Sequence, residues 1–327
     1  MSKSSPSLSA EQLGTLFTQL KQMEAAGLPV AQAFAMLTQT DAELKKTLAR
    51  MQQQLTAGKP ISEAGFRAGI FTETHKTLIH AAESSGKLAE IYGQLAKHYT
   101  ALAKRIKKAQ SRLYFPALTL IIALFVQPLP ALVTSQITGF EYLQLSLGRL
   151  LVIAFGVFLL VRLPNILRGL GVETAWHRLQ LSIAIVANWL IKRQVNEFLF
   201  MLGMMLEGGL AFAEALPKAV SSIKNSGLRA DFNSALTMLA TGASVADTLA
   251  RVPHINAKIL QIVNSSEQSG KLASGLLHLS QLEAETIALQ DDALAEWLPR
   301  LIYSAIALGM AYSLLGSLIS TVVPGTL

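Results

Sequence analysis

Glu83-Ser84-Ser85-Gly86-Lys87-Leu88 returns 184 positions later as Glu267-Gln268-Ser269-Gly270-Lys271-Leu272. In both places an amphipathic stretch precedes the motif. In both places a long helical stretch follows it, reaches a proline and continues into a membrane-length apolar segment. An echo at fixed spacing is the signature of a repeated module. The chain therefore reads as one helical module used twice, each copy mounted on a membrane.

The echo extends outward from the motif. Gly27-Leu28 answers to Gly209-Leu210, Gly58 to Gly242, Glu63 to Asp247 and Pro116 to Pro299. The glycines are 31 and 28 positions apart in the first copy, and 33 and 28 in the second. A glycine just past an apolar periodic run marks a helix end, because it takes the left-handed conformation without a Cβ clash. Three shared glycines then mean three shared helix ends, with Gly86 and Gly270 as caps at a tight corner. Glu83 and Glu267 stand near the end of a helix, where the dipole disfavours a negative charge. Each acid therefore needs a compensating neighbour. The simplest is the N-terminus of the next helix, whose free N–H groups begin at Lys87 and Lys271. A basic partner protein and a bound cation are the alternatives.

Hydrophobic residues make up 51 % of the 327 positions, and mean hydropathy is +0.40. That is too apolar for an ordinary soluble protein and too polar for a chain wholly inside a membrane, so helical domains plus a few spans are expected. The formal charge is +7. Lys97, Lys104, Arg105, Lys107, Lys108 and Arg112 crowd the approach to the first apolar segment. Without interleaved aromatics or a base-reading motif, this cluster reads as a topology signal and not as a nucleic-acid patch. There is no cysteine, which excludes disulfides, thiolate metal sites and cysteine nucleophiles. The first thirty residues lack the apolar run of a cleavable signal peptide.

In chain order, Ser9 with Gln12 forms a capping-box pattern, and Leu13, Leu16, Phe17, Leu20 and Met23 follow at helical spacing. Gly27 ends this helix and Pro29 suits the first turn of the next. A third helix is expected over 41–57, a short fourth after Pro60, a fifth over 72–85 and a long sixth over 87–112. The first span is expected over 113–137, with Pro128 and Pro130 disturbing its second half. Residues 138–144 read as a connector and 145–163 as the second span, with Arg149 near its start and within snorkelling reach of the interface. Leu181 to Ile191 is too short to span and reads as a buried or interfacial helix. The second bundle then begins, and 301–323 reads as a third span. The expected fold is all-α: two homologous cytoplasmic six-helix bundles, in 1–112 and 169–298, joined to three transmembrane helices, two within 113–168 and one within 299–327. Charge places the bundles and the N-terminus in the cytoplasm and the C-terminus in the periplasm.

Catalytic spacing is thin. Gly58-Lys59, Gly86-Lys87 and Gly270-Lys271 complete no phosphate-binding loop, and His75 with His80 does not match a zincin. Ser84-Ser85-Gly86-Lys87 contains a Ser-x-x-Lys that the second copy does not repeat. Polar groups within the spans are few, so the spans read as anchors and dimer surfaces and not as a transport path. No metal, cofactor or enzymatic activity is expected.

The order and duplication of these motifs, set against three spans, resembles the type II secretion F / type IV pilus PilC family of inner-membrane platform proteins, over roughly residues 10–325. The residues that carry it are Gly27-Leu28, Gly58, Glu83 to Leu88, Pro116, Gly209-Leu210, Gly242, Glu267 to Leu272 and Pro299. The resemblance implies a non-enzymatic homo-oligomer at the base of a pilus or pseudopilus in the bacterial inner membrane. It implies contact with a cytoplasmic assembly ATPase, with pilins or pseudopilins and with other inner-membrane assembly proteins. Many members carry an extra segment before the first bundle, and its absence ahead of residue 9 leaves ATPase docking through it open. A polytopic transporter or enzyme, and a membrane scaffold unrelated to pili, are the competing readings.

Overall fold

Local capping sets the helix boundaries of the first copy. The computed structural model describes residues 8–40, 44–169, 173–239 and 242–322. Helix α1 (Ala10–Ala25) opens on the Ser9–Gln12 capping box, and α2 (Val30–Thr40) starts after Pro29. Then follow α3 (Lys45–Thr56), α4 (Ile61–Ala68), α5 (Glu73–Ser85) and α6 (Leu88–Val126). The expected helix over 41–57 is α3, and its first residues, 41–43, lie outside the described residues. Gly69, with φ +82°, caps α4 and ends the expected short fourth helix before the fifth begins.

The chain continues through α7 (Leu129–Val133), α8 (Gly139–Gly169), α9 (Glu173–Ser182), α10 (Ala184–Glu207), α11 (Phe212–Ser221), α12 (Ser226–Asp231), α13 (Asn233–Leu239), α14 (Val245–Ala250), α15 (Ala257–Gln268) and α16 (Leu272–Val322). Among the described residues there is no strand. The expectation of six helices per copy is too even. The second copy breaks at Phe232 into α12 and α13 where the first has the single helix α3. Leu181 to Ile191 is not one helix either, since it straddles a break at Ile183, where the backbone is extended (φ −90°, ψ 104°).

Two compact units emerge: Met1–Lys104 with His177–Ile287, and Arg105–Trp176 with Ala288–Leu327. The first unit contains both helical bundles around one continuous apolar core. Phe17 lies at the centre of the first bundle, fully buried. It stacks on Phe71 and Tyr92 at 6.0 Å and on Tyr99 at 5.9 Å, with His75 edge-on at 5.7 Å. Phe198 against Phe232 at 4.6 Å anchors the second bundle. The bundles meet where Ser85 Oγ donates to the Gly208 carbonyl at 2.8 Å and where His98 stacks on Phe200 at 4.5 Å.

The stretches Leu88–Val133 and Gly139–Leu159 are long and apolar enough to cross a membrane. Only 17 % and 6 % of their most apolar windows are buried, whereas the core helix of a soluble protein would be mostly covered. Helix α6 ends at Val126, just before Pro128 and Pro130, and α7 continues the apolar stretch to Val133. The expected connector 138–144 is corrected to the opening of α8. Thr138 and Glu141 form a reciprocal cap, Thr138 N donating to Glu141 Oε2 at 2.7 Å and Glu141 N to Thr138 Oγ1 at 3.3 Å. Arg149 is therefore eleventh in its helix and not near the start. Its Nη1 donates to Gln127 Oε1 at 3.1 Å, and Gln127 Nε2 donates to the Gly309 carbonyl at 3.4 Å. Pro116 and Pro299 both lie inside continuous helices, where each removes one i→i−4 bond. Helix α16 continues through the expected third span as far as Val322, and Val323 lies outside the described residues.

Positions 184 apart pair directly in this unit. Lys108 binds Asp292, and Arg112 approaches Asp292 at 3.4 Å and Glu296 at 4.0 Å. Lys108–Asp292 and Arg112–Glu296 share the 184-position offset of the two corner motifs. Here one copy is basic and the other acidic, so the two long helices attract where identical copies would repel. The Lys108 ammonium holds the Asp292 carboxyl below its ordinary range. Lys108→Glu and Asp292→Lys should each lower the melting temperature of the whole chain, and the double exchange should recover most of the loss. A double-mutant cycle measures this coupling.

Candidate functional site

Each corner motif is a helix end clamped to the start of an earlier helix. Helix α5 finishes at Ser85, and Gly86 follows at φ +72°, with the Gly86 and Lys87 N–H groups both donating to the Ala82 carbonyl. In the second copy Gly270 takes φ +67°, and Lys271 N donates to the Ser266 carbonyl at 2.8 Å. A Cβ at either glycine would meet open space. The cost of adding one is therefore purely conformational, and Gly86→Ala and Gly270→Ala should each destabilise by about 1 kcal/mol in thermal or denaturant unfolding. Gly65 differs in kind: a Cβ there would stand 2.0 Å from the Phe71 ring.

The acids find their compensation upstream. Glu83 accepts Ile61 N at 2.6 Å and Ser62 N at 3.2 Å, the first two N–H groups of α4. Glu267 accepts Val245 N at 2.7 Å and Ala246 N at 3.0 Å, the first two of α14. The separations are 22 and 21 residues in both copies. The expectation that these acids face the following helix at Lys87 and Lys271 is thus corrected. The N–H groups of Lys87 and Lys271 are already bonded to the helix they terminate. The free donors lie instead on the preceding short helix, which doubles back so that its start meets the end of α5 or α15. A carboxylate there serves both the orphan N–H groups and the positive end of the helix dipole. Pro60 supplies no side-chain cap to α4, so Glu83 is that helix's cap from a distance. In α14, Ser244 additionally caps Asp247 N at 3.0 Å.

The remaining motif residues hold the same corners. Leu88 is buried and belongs to the core, and Leu272 packs against it half-buried. Gly27, Gly58, Gly209 and Gly242 take φ of +69°, +76°, +94° and +73°. Glu63 and Asp247, though equivalent in the repeat, differ in use. Glu63 pairs with Arg67 at 2.6 Å and Lys76 at 2.7 Å, and these charges pull its carboxyl down to about 2, Lys76 contributing most. Asp247 instead bonds the Ser244 hydroxyl.

The first corner also touches the second bundle. Beyond the Ser85–Gly208 bond, Lys87 Nζ lies 3.5 Å from Glu207. A groove of about 570 Å³ opens here, with Glu73, Lys76, His80, Ser84, Glu214 and Lys218 on its walls. Its charges are mixed and select no ligand class. Among the described residues no group of three or more His, Cys, Asp or Glu side chains could hold a metal ion.

His75 carries no signal in the sequence beyond a histidine spacing that matches no zincin. It is 1 % exposed. Its Nδ1 accepts Thr72 N at 3.4 Å as part of the cap of α5, so the neutral ring carries its proton on Nε2, which bonds Tyr99 Oη at 2.6 Å. Burial, and secondarily the charge of His98, press its pKa down to about 3.

The repeated corner and the apolar extensions of its long helices define a tandem helical-repeat protein. The family model for Type II secretion system (T2SS), protein F matches residues 16–134 and again 198–320, one match on each copy. The chain belongs to that family. It is 26 % identical over 307 residues to the type II secretion system protein F of Xanthomonas campestris pv. campestris, covering 86 % of this chain and 75 % of the relative. It is 24 % identical over 300 residues to the type IV pilus assembly protein PilC of Thermus thermophilus, covering 85 % and 73 %.

Proposed function

We propose that this chain is a non-enzymatic inner-membrane platform of a type II secretion or type IV pilus machine. It couples a cytoplasmic ATPase to extraction of pilins or pseudopilins from the membrane and to their assembly into a fibre. The observation that carries this reading is that the family match falls on both copies of the repeat, in a chain with two helical stretches, Leu88–Val133 and Gly139–Leu159, long and apolar enough to span. The two relatives named above belong to a secretion system and to pilus assembly. The chain crosses the membrane three times, with both bundles and the N-terminus in the cytoplasm. The basic approach to the first apolar segment, Lys104 to Arg112, supports that orientation. The platform works as a homo-oligomer with other inner-membrane assembly proteins.

Deletion of the gene should abolish fibre assembly or secretion while the ATPase is still made, and the purified chain should hydrolyse no ATP. Turnover free of the ATPase overturns the reading. A reporter active only in the periplasm should work when fused at Leu327 and fail at Arg178; the reverse pattern rejects the topology.

A further inference from the structure

The start of the second bundle is an amphipathic surface turned inside out. The polar side of α9 faces the protein. His177 Nδ1 accepts Ser226 N at 3.2 Å, and the His177 carbonyl and Gln180 Oε1 accept Asn225 Nδ2 at 3.2 and 3.4 Å. Midway along α10, Gln194 Oε1 accepts Asn225 N at 2.9 Å. Asn225 itself is 1 % exposed. This buried amide fixes which way α9 and α10 face. The outer side carries Leu179, Ile183, Val186 and Trp189, exposed by 51, 50, 37 and 39 %. Four exposed apolar side chains within eleven residues, on elements whose polar groups are used inward, mark a contact surface.

Its surroundings select the occupant. Arg178, Lys192 and Arg193 lie within this stretch, and its acids, Glu173 and Glu197, stand only at its two ends. The Arg193 guanidinium sits 4.2 Å over the Trp189 ring. Apolar residues and a tryptophan beside basic side chains compose the surface that settles into an anionic lipid interface. The sequence supplies continuity: α8, which contains an apolar stretch long enough to span, ends at Gly169, only a few residues before α9 begins.

We infer that Leu179, Ile183, Val186 and Trp189 form an interfacial lipid-binding patch, seated in the anionic cytoplasmic leaflet and oriented by Asn225. The inference rests on the membrane placement proposed above. Such a seat holds the second bundle against the bilayer independently of its spans.

The test uses the full chain in bilayers containing phosphatidylglycerol, with Trp189 as the sole tryptophan (Trp176→Phe, Trp297→Phe). Lipids brominated near the headgroup or deep in the acyl chain act as quenchers. Trp189 should emit blue-shifted light, resist aqueous acrylamide and be quenched more by the shallow label, at a depth of about 5–10 Å. A tryptophan-free chain carrying Phe155→Trp reports insertion of α8, with deep quenching. If Phe155→Trp responds while Trp189 stays open to acrylamide and indifferent to lipid, the patch faces water and the inference fails. If Trp189 is shielded from both acrylamide and lipid, a second copy or another protein covers it, and the inference fails in that direction. If neither position responds to lipid, the membrane placement itself is wrong. In the chain with Trp189 as sole tryptophan, Asn225→Ala should weaken shallow quenching through loss of orientation.

Discussion

Glu83→Ala should lower the stability of the chain by about 2–4 kcal/mol, since hydrogen bonds to a charged group contribute about 1.5–3 kcal/mol each and do not simply add. The variant strips α4 of its side-chain cap and takes from two part-buried N–H groups the carboxylate that accepts them. Glu267→Ala should cost less, because Ser244 still caps the third N–H group of α14. Glu→Gln at either site should fall between, since the amide keeps one acceptor oxygen and turns an NH₂ toward the second donor. Hydrogen exchange reads this locally: Ile61 and Ser62 should lose protection in the first variant, Val245 and Ala246 in the second. The same experiment separates a clamp from a partner contact. If Glu267→Gln leaves exchange unchanged yet abolishes fibre output, the carboxylate acts on another protein, and the clamp is not its main role.

Acid should destabilise the first bundle through His75. The group titrates near 6.5 in the unfolded chain and at about 3 when folded. Because its folded pKa is depressed, the stabilisation is complete above pH 6.5 and is lost as pH falls from there toward 3. The slope within that window approaches about 1.4 kcal/mol per pH unit, or roughly 2 kcal/mol between pH 6.5 and 5. That range lies above ordinary carboxylate titration. Protonation also removes the Nδ1 lone pair that accepts Thr72 N, so the cap of α5 opens with it. His75→Phe should be less stable than the native chain at pH 7, having lost the Tyr99 and Thr72 bonds, but nearly flat between pH 7 and 5. Urea unfolding at several pH values checks both. An equal slope in the two proteins would place the acid sensitivity elsewhere.

Much of this molecule is written in local chemistry. The glycine spacing marks helix ends because a left-handed residue without Cβ is needed wherever these helices stop, and Gly27, Gly58, Gly86, Gly209, Gly242 and Gly270 all take positive φ. Ser9 and Gln12 announce the first helix because a capping box lies within one turn. Thr138 and Glu141 carry the same local signal, ahead of the apolar run that begins at Leu145. The break at Phe232 left no such mark. The acids were legible as misplaced charges at helix ends, but not as caps of α4 and α14, since nothing local joins residues 22 positions apart.

The sequence by itself determined the repeat, the all-helical class and the family, because periodicity, glycine stops and duplicated motifs act over a few turns of chain. Only the tertiary structure decided what Glu83, Glu267 and His75 face, which side of α9 is inward, and that Lys108 meets Asp292. Those outcomes depend on helices folding back on one another, and a carboxylate or imidazole takes its role from donors that arrive from elsewhere in the chain.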